Sequence, residues 1–185
     1  MTPRRTTVSG VTELVIRDAE LADVDAIVDV VTRAYRGGEG EAGWTTESQF
    51  LGGQRTDPAE VSAGVADPTG RLLVATDHDG NLVGCIKIDR VDDGVHFGLF
   101  AVDPSIQGSG AGNALLAAVD AQAREWGCAW VGMEVLNLRH DIKSWYERKG
   151  FRPTGEVIAF PYGDERFGVP LRDDLHFDGY RKTLS

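Results

Sequence analysis

The chain has 185 residues, 42% of them hydrophobic and 26% charged, which suits one domain with enough core to fold without covalent staples. Acidic residues outnumber basic ones 29 to 19, and the formal net charge of -10 repels nucleic acid and anionic membranes while favouring cationic small molecules. No run approaches the roughly 18 apolar residues of a membrane span, so no membrane partner is expected.

The start, MTPRRTTVSG, is basic without an apolar stretch behind it, so residues 1–10 read as a disordered tail and 11–185 as a single domain of a soluble, cytoplasmic protein. TELVIRD reads as a strand. LADVDAIVDVVTRAYRG follows as a helix with Val24, Ile27, Val28, Val31 and Tyr35 on one face, ended by Gly37 and Gly38. GWTTESQFLGG is a candidate short helix. TDPAEVSAGVAD is a second, with Asp57 as cap, Pro58 at the first helical position and Glu60 completing a capping-box arrangement. RLLVATD and LVGCIKIDRV form a hairpin about HDGN, and VHFGLFAV adds a third strand to an antiparallel meander.

VDPSIQGSGAGNALL then opens a helix on which Ala111, Leu115, Val119, Ala123 and Trp126 recur at helical spacing, and CAWVGMEVLN follows as a strand. Strand, glycine loop, helix and strand make a β-α-β unit. HDIKSWYERKG is a helix, FRPTGEVIAF a strand, and LHFDGYRKTL the last strand after a polar loop, giving an α/β class with a mixed sheet. Cys85 and Cys128 both sit in apolar runs and read as buried, reduced thiols.

Gly108, Ser109, Gly110 and Gly112 weaken a helix start, each glycine by roughly 1 kcal/mol relative to alanine. A helix N-terminus offers unpaired amides and the positive end of its dipole, and glycines let a phosphate come close, so the loop suits a pyrophosphate. A tight strand-to-helix turn would use the same residues. The spacing fits neither the phosphate loop ending in Gly-Lys-Ser/Thr nor the dinucleotide fingerprint.

Gln107, Gly110 and Gly112, behind Val102 and Pro104, fill every fixed position of the Gln/Arg-x-x-Gly-x-Gly/Ala loop of the GNAT superfamily of N-acetyltransferases, which the chain resembles. SWYERKGFRPTGE resembles that superfamily's Tyr-Glu-x-x-Gly-Phe segment, and the element order agrees from Leu14 to Tyr180. The resemblance implies a mostly antiparallel central sheet flanked by helices, with a β-α-β acyl-CoA-binding unit, and an N-acetyltransferase domain over 11–185. It implies acetyl-CoA as acyl-donor cosubstrate, with the backbone of Gln107, Gly108, Ser109, Gly110, Ala111 and Gly112 on the pyrophosphate. The backbone of Phe100, Ala101 and Val102 would pair with the pantetheine arm as an added strand.

Tyr146 sits where many members place a tyrosine that protonates, or hydrogen-bonds, the departing thiolate; a phenol with a pKa of about 10 stays protonated at neutral pH. An amine acceptor must lose a proton before it attacks. Histone-acetylating members carry a glutamate base eleven residues ahead of the loop's Gln/Arg, and that offset reaches His96 here, whose imidazole accepts a proton near neutral pH. By strand alternation His96 shares a face with Gly98, Phe100 and Val102. Glu134 and a water relay are the competing bases. The asparagine that the family often places seven residues before the tyrosine is Arg139 here, with Asn137 two residues earlier, which leaves Asn137 open as a CoA ligand.

His140, Asp141 and His176 lack a usable metal spacing, and no metal is assigned. In the resembled architecture GWTTESQF and FPYGDERFGVPLRDDL cover the acceptor side. Trp44, Glu47, Phe160, Tyr162, Asp164, Glu165, Asp173 and Asp174 there suit an ammonium-bearing substrate. The leading expectation is acetyl transfer to a primary amine of a small molecule or peptide by direct attack, in a chain for which the resemblance admits a homodimer. The alternatives are a catalytically silent acyl-CoA-binding module on the same fold and an unrelated nucleotide-binding protein.

Overall fold

The computed structural model of the chain describes residues 4–6, 14–37, 47–106 and 108–185. Strands β1 (Arg4–Thr6) and β2 (Leu14–Asp18) lead through a 3-10 turn at Leu21–Asp23 into helix α1 (Val24–Arg36). Next come β3 (Leu51–Gly52), α2 (Pro58–Ala66), β4 (Gly70–Thr76), β5 (Leu82–Val91), β6 (Gly94–Val102), α3 (Ala111–Glu125) and β7 (Trp130–Leu136). The chain closes with α4 (His140–Arg148), β8 (Arg152–Ala159), β9 (Val169–Pro170) and β10 (His176–Thr183).

One sheet runs in the order β1-β2-β4-β5-β6-β7-β10-β8, and every ladder in it is antiparallel except β6 with β7. It is the mixed, mostly antiparallel α/β sheet that the sequence predicts. Helices α1 and α2 cover one face, where Ile27, Val30, Val31 and Val61 pack on Leu72, Val74, Cys85 and Ala101. Helices α3 and α4 cover the other, where Leu115, Val119 and Tyr146 pack on Ile86, Ile88, Phe97, Val131 and Met133. Both cysteines are buried free thiols, as expected.

Local chemistry sets the helix limits. Asp57 accepts a hydrogen bond from Glu60 N at 2.8 Å with Pro58 at the first helical position, while the Glu60 carboxylate accepts from Thr56 Oγ1. At the entry to α1, Arg17 grips Asp23 through two bonds of 2.7 and 2.9 Å. Helix α1 stops at Gly37, whose φ is 76°.

Three expectations need correction. Arg4–Thr6 is not tail: its backbone pairs with Leu14–Ile16, which satisfies polar groups that an edge strand would otherwise leave open. The described part of GWTTESQF makes one turn, with Phe50 N and Leu51 N both donating to Glu47 O, and then becomes β3. Gly53, at φ 73°, breaks the helical path there, and Leu51–Gly52 pairs with β9 instead.

The third correction concerns alternation along β6. Gly98 pairs with Lys87 and Ala101 with Cys85, so Leu99 and Phe100 together oppose Ile86. This is a β-bulge, and Leu99 takes a φ of 46° to make it. The extra residue reverses the faces: Phe97, Phe100 and Val102 all join the α3 and α4 side. His96 therefore lies on the face opposite Phe100 and Val102.

Strands β6 and β7 pair only over Gly94–His96 and Trp130–Gly132. Beyond those three rungs the two strands share no ladder, and the sheet opens as a wedge at the carboxyl ends of both.

Candidate active site

The loop between β6 and α3 fills one side of the wedge. Asp103 organises it, accepting from Ser105 N and Oγ at 2.9 and 2.7 Å and from Arg33 of α1 at 2.7 Å. Gly110 caps α3 at φ 88° and Gly108 has φ 84°, a region that side chains rarely adopt, so the turn itself requires glycine at both. Gly112 is different. Its backbone is outside that region, and a Cβ there would meet Phe100 Cζ at 3.5 Å and the Trp145 ring at 3.7 Å.

Gly108, Ser109, Gly110, Ala111 and Gly112 border a cavity of about 370 Å³ with Phe100, Val102, Ile106, Ile142 and Trp145 as its apolar walls. The first turn of α3 presents its amides there. Ala101 does not border it, because its side chain is buried against α1. Gln107 lies outside the described residues. The sequence reading missed Ile106, Asn113, Ile142 and Trp145 as lining residues; the helical spacing of Ile142 and Trp145, just before Tyr146, was the available signal.

A second cavity, of about 110 Å³, begins where the first ends, and Phe100 and Ile142 border both. Tyr35, Glu47, Arg55, Glu134, Arg139 and Tyr146 supply its polar groups, and Leu51, Met133, Phe167 and Phe177 are among its apolar ones. The pairing of β3 with β9, extended by Leu171 N donating to Phe50 O, ties the stretch before α2 to the loop before β10 beside this cavity. Tyr35 Oη donates to Phe100 O at 2.9 Å and so fixes α1 to the bulge.

Tyr146 is 5% exposed in a nest of Phe97, Phe100, Trp145 and Phe151, with ring centroids 5.1 to 6.4 Å away. Burial pushes its hydroxyl well above the usual range near 10, which keeps it a phenol and a hydrogen-bond donor. Glu134 borders the second cavity, whereas His96 borders neither. His96 is the cross-strand partner of Asp89 and Gly132, and its Nε2 is 3.8 Å from Glu134 Oε1. That buried nitrogen has no hydrogen-bond partner among the described residues.

Asn137 is used elsewhere. Its Oδ1 accepts from His176 N and its Nδ2 donates to Asp174 O, bracing β7 against the entry to β10. Arg139 donates to Asp141 through Nε and Nη2 at 3.1 and 3.0 Å, so Asp141 serves a pair, and His176 lies beside Asp178. Two of the acids expected to receive an ammonium are committed, Asp164 to Arg166 and Asp174 to Arg172, and neither Glu165 nor Asp173 borders a cavity. Phe160 is buried, and Tyr162 Oη accepts from Leu175 N. Trp44 lies outside the described residues. Glu47 is half-buried, with Arg36 at 3.8 Å and Arg139 at 4.0 Å; desolvation raises its carboxyl above the usual range.

Residues 68–153 match the family described as Acetyltransferase (GNAT) domain. An aminoglycoside N(6')-acetyltransferase type 1 of Stenotrophomonas maltophilia is 30% identical over 129 residues, covering 64% of this chain and 84% of that protein. The chain belongs to the GNAT acetyltransferase family. An uncharacterized N-acetyltransferase of Mycobacterium bovis is 34% identical over 94 residues, which are 49% of this chain and 58% of that protein, so the chain spans little more than half the length of that relative. A solved PaiA N-acetyltransferase of Thermoplasma acidophilum, in complex with coenzyme A, shares the fold with a TM-score of 0.66 at 14% identity, over 92% of this chain and 98% of that one. Among the described residues, no helix is long and apolar enough to cross a membrane.

Proposed function

We propose that residues 11–185 act as one N-acetyltransferase domain that transfers acetyl from acetyl-CoA to a primary amine. The observation that carries this reading is the meeting of the two cavities at Phe100 and Ile142, one edged by a helix N-terminus and glycines, the other by titratable side chains. The first fits an acyl-CoA. Its amides suit a pyrophosphate, and Phe100, Ile142 and Trp145 suit an apolar arm.

When bound, acetyl-CoA supplies an activated thioester. The residues of the chain do the rest. Gly108 to Gly112 hold the anionic end, and the open edge of β6 from Phe100 to Val102 orients the arm. Tyr146 donates a hydrogen bond to the sulfur as negative charge develops there; its raised pKa makes full proton transfer secondary to that bond. Glu134 takes the ammonium proton, directly or through water, and His96 behind it is a positioning residue that shares the charge. The polar groups around the second cavity argue against a silent binding module.

The free, buried thiols suit a reducing cytoplasm, and the excess negative charge suits a chain with no nucleic-acid partner. A homodimer remains part of the proposal, tested by light scattering.

Gly112→Ala tests the donor site, because its methyl enters the cavity at ordinary contact distance without backbone strain. Calorimetry should show CoA affinity falling about tenfold, the scale of one lost charged hydrogen bond, with the melting temperature unchanged or raised. Unchanged affinity in the folded variant rejects the cradle.

A further inference from the structure

The charges around the second cavity are equal in number but segregated. Three guanidinium groups, of Arg36, Arg55 and Arg139, gather about the Glu47 carboxylate, and Asp141 answers Arg139. Arg36 Nη1 is buried without a hydrogen-bond partner, and among the described residues no carboxylate lies within 4 Å of Arg55. At this end of the cavity three guanidinium groups face the two carboxylates of Glu47 and Asp141, a local excess that Glu134 balances at the other end.

Arg55 is the guanidinium best placed to use that excess. It borders the cavity, and its Cζ lies 4.8 Å from the centroid of the Tyr35 ring, whose hydroxyl is fixed to Phe100 O. Stacking on an anchored ring restrains a planar fork with unspent donors beside the bulge. Glu134 supplies the negative end of the same cavity. In the loop before β10, Asp164 and Asp174 are held by Arg166 and Arg172, and neither they nor Glu165 and Asp173 border the cavity.

We infer that the acceptor is a small amine carrying a carboxylate, which Arg55 binds while the amine lies toward Glu134. This rests on the acetyltransferase reading and names its substrate class. A carboxylate matches the planar guanidinium fork with two parallel hydrogen bonds, and the positive excess offsets its desolvation. A cavity of about 110 Å³ has room for the carboxylate and amine of an amino acid.

The test uses free amino acids paired with their carboxamides, which keep the amine and lose the charge. With acetyl-CoA and thiol release as the readout, the wild type should favour the carboxylate member of its best pair by about ten- to hundredfold in kcat/KM, the worth of a charged hydrogen-bonded pair. Arg55→Ala should bring that ratio close to one by raising KM for the carboxylate, and Arg55→Lys, which keeps the charge without the fork, should lie between. CoA binding by calorimetry should be the same in all three proteins, which establishes that the variants are folded. A wild-type ratio at or below one, or the same ratio in Arg55→Ala, overturns the inference while leaving the transferase reading intact. Absence of thiol release with every amine, neutral and cationic ones included, defeats both.

Discussion

The two cavities share a wall at Phe100 and Ile142 but are assembled in different ways. The proposed donor side draws its polar groups from consecutive backbone between Gly108 and Gly112, and its shape depends on which glycines can adopt a positive φ. The proposed acceptor side collects Tyr35, Glu47, Arg55, Glu134, Tyr146 and Phe167 from six separate stretches. A backbone-built site changes when the turn changes. A site built from side chains can lose one function at a time.

The largest expected effect lies at the junction. Tyr146→Phe should lower kcat by roughly 10²-fold, the low end of general acid catalysis, with CoA affinity within a factor of about two. Equal loss of CoA affinity would instead make Tyr146 part of the donor cavity and blur the division. Glu134→Gln should lower kcat/KM at pH 7 by about tenfold, because water can replace a half-exposed carboxylate. That loss should shrink as the pH rises toward the pKa of the amine, about 10, where solvent supplies the free base. His96→Ala should cost less than Glu134→Gln; the reverse order would return the proton to His96 and place the base outside both cavities.

The smallest effect is remote from both. Arg17 holds the Asp23 carboxyl below the usual carboxylate range, so the folded state keeps that charge at a pH where the unfolded chain has begun to bind a proton. Its stabilisation is fully present above the unfolded value of 3.8 and is lost as the pH falls through the lower folded value. Asp23→Asn should cost about 0.5 kcal/mol in urea unfolding at pH 7, as for other partly exposed pairs, and progressively less as the pH falls below 3.8. Turnover per folded molecule should not move.

The same division explains what the sequence could reveal. The donor side is local: Pro104, Gly108, Gly110, Gly112 and the apolar spacing of α3 all fall within one stretch, so its outline is legible from turn and helix rules. Most strands are legible for the same reason. The acceptor side depends on what long-range packing brings together. Nothing local marks Leu99 as a bulge residue, since leucine rarely takes a φ of 46°, and so alternation puts His96 on the wrong face. Counting acids near GDERFG and RDDL also misses that Arg166 and Arg172 stand two residues away from their partners. Arg55 carries no local signal at all, because the role proposed for it comes from its stacking on Tyr35 and its place on the second cavity.

The double membership of Phe100 and Ile142 limits how this protein can diversify. A substitution at either one reshapes both cavities, so under the proposed assignment a change that improves one fit is screened at once by the other. Arg55, Leu51 and Phe167 belong to the acceptor side alone and stand on the connecting stretches joined by β3 and β9, where altered lengths and side chains are tolerated. New amine preferences are therefore most accessible through those stretches, with the donor cradle carried along unaltered from one specificity to the next.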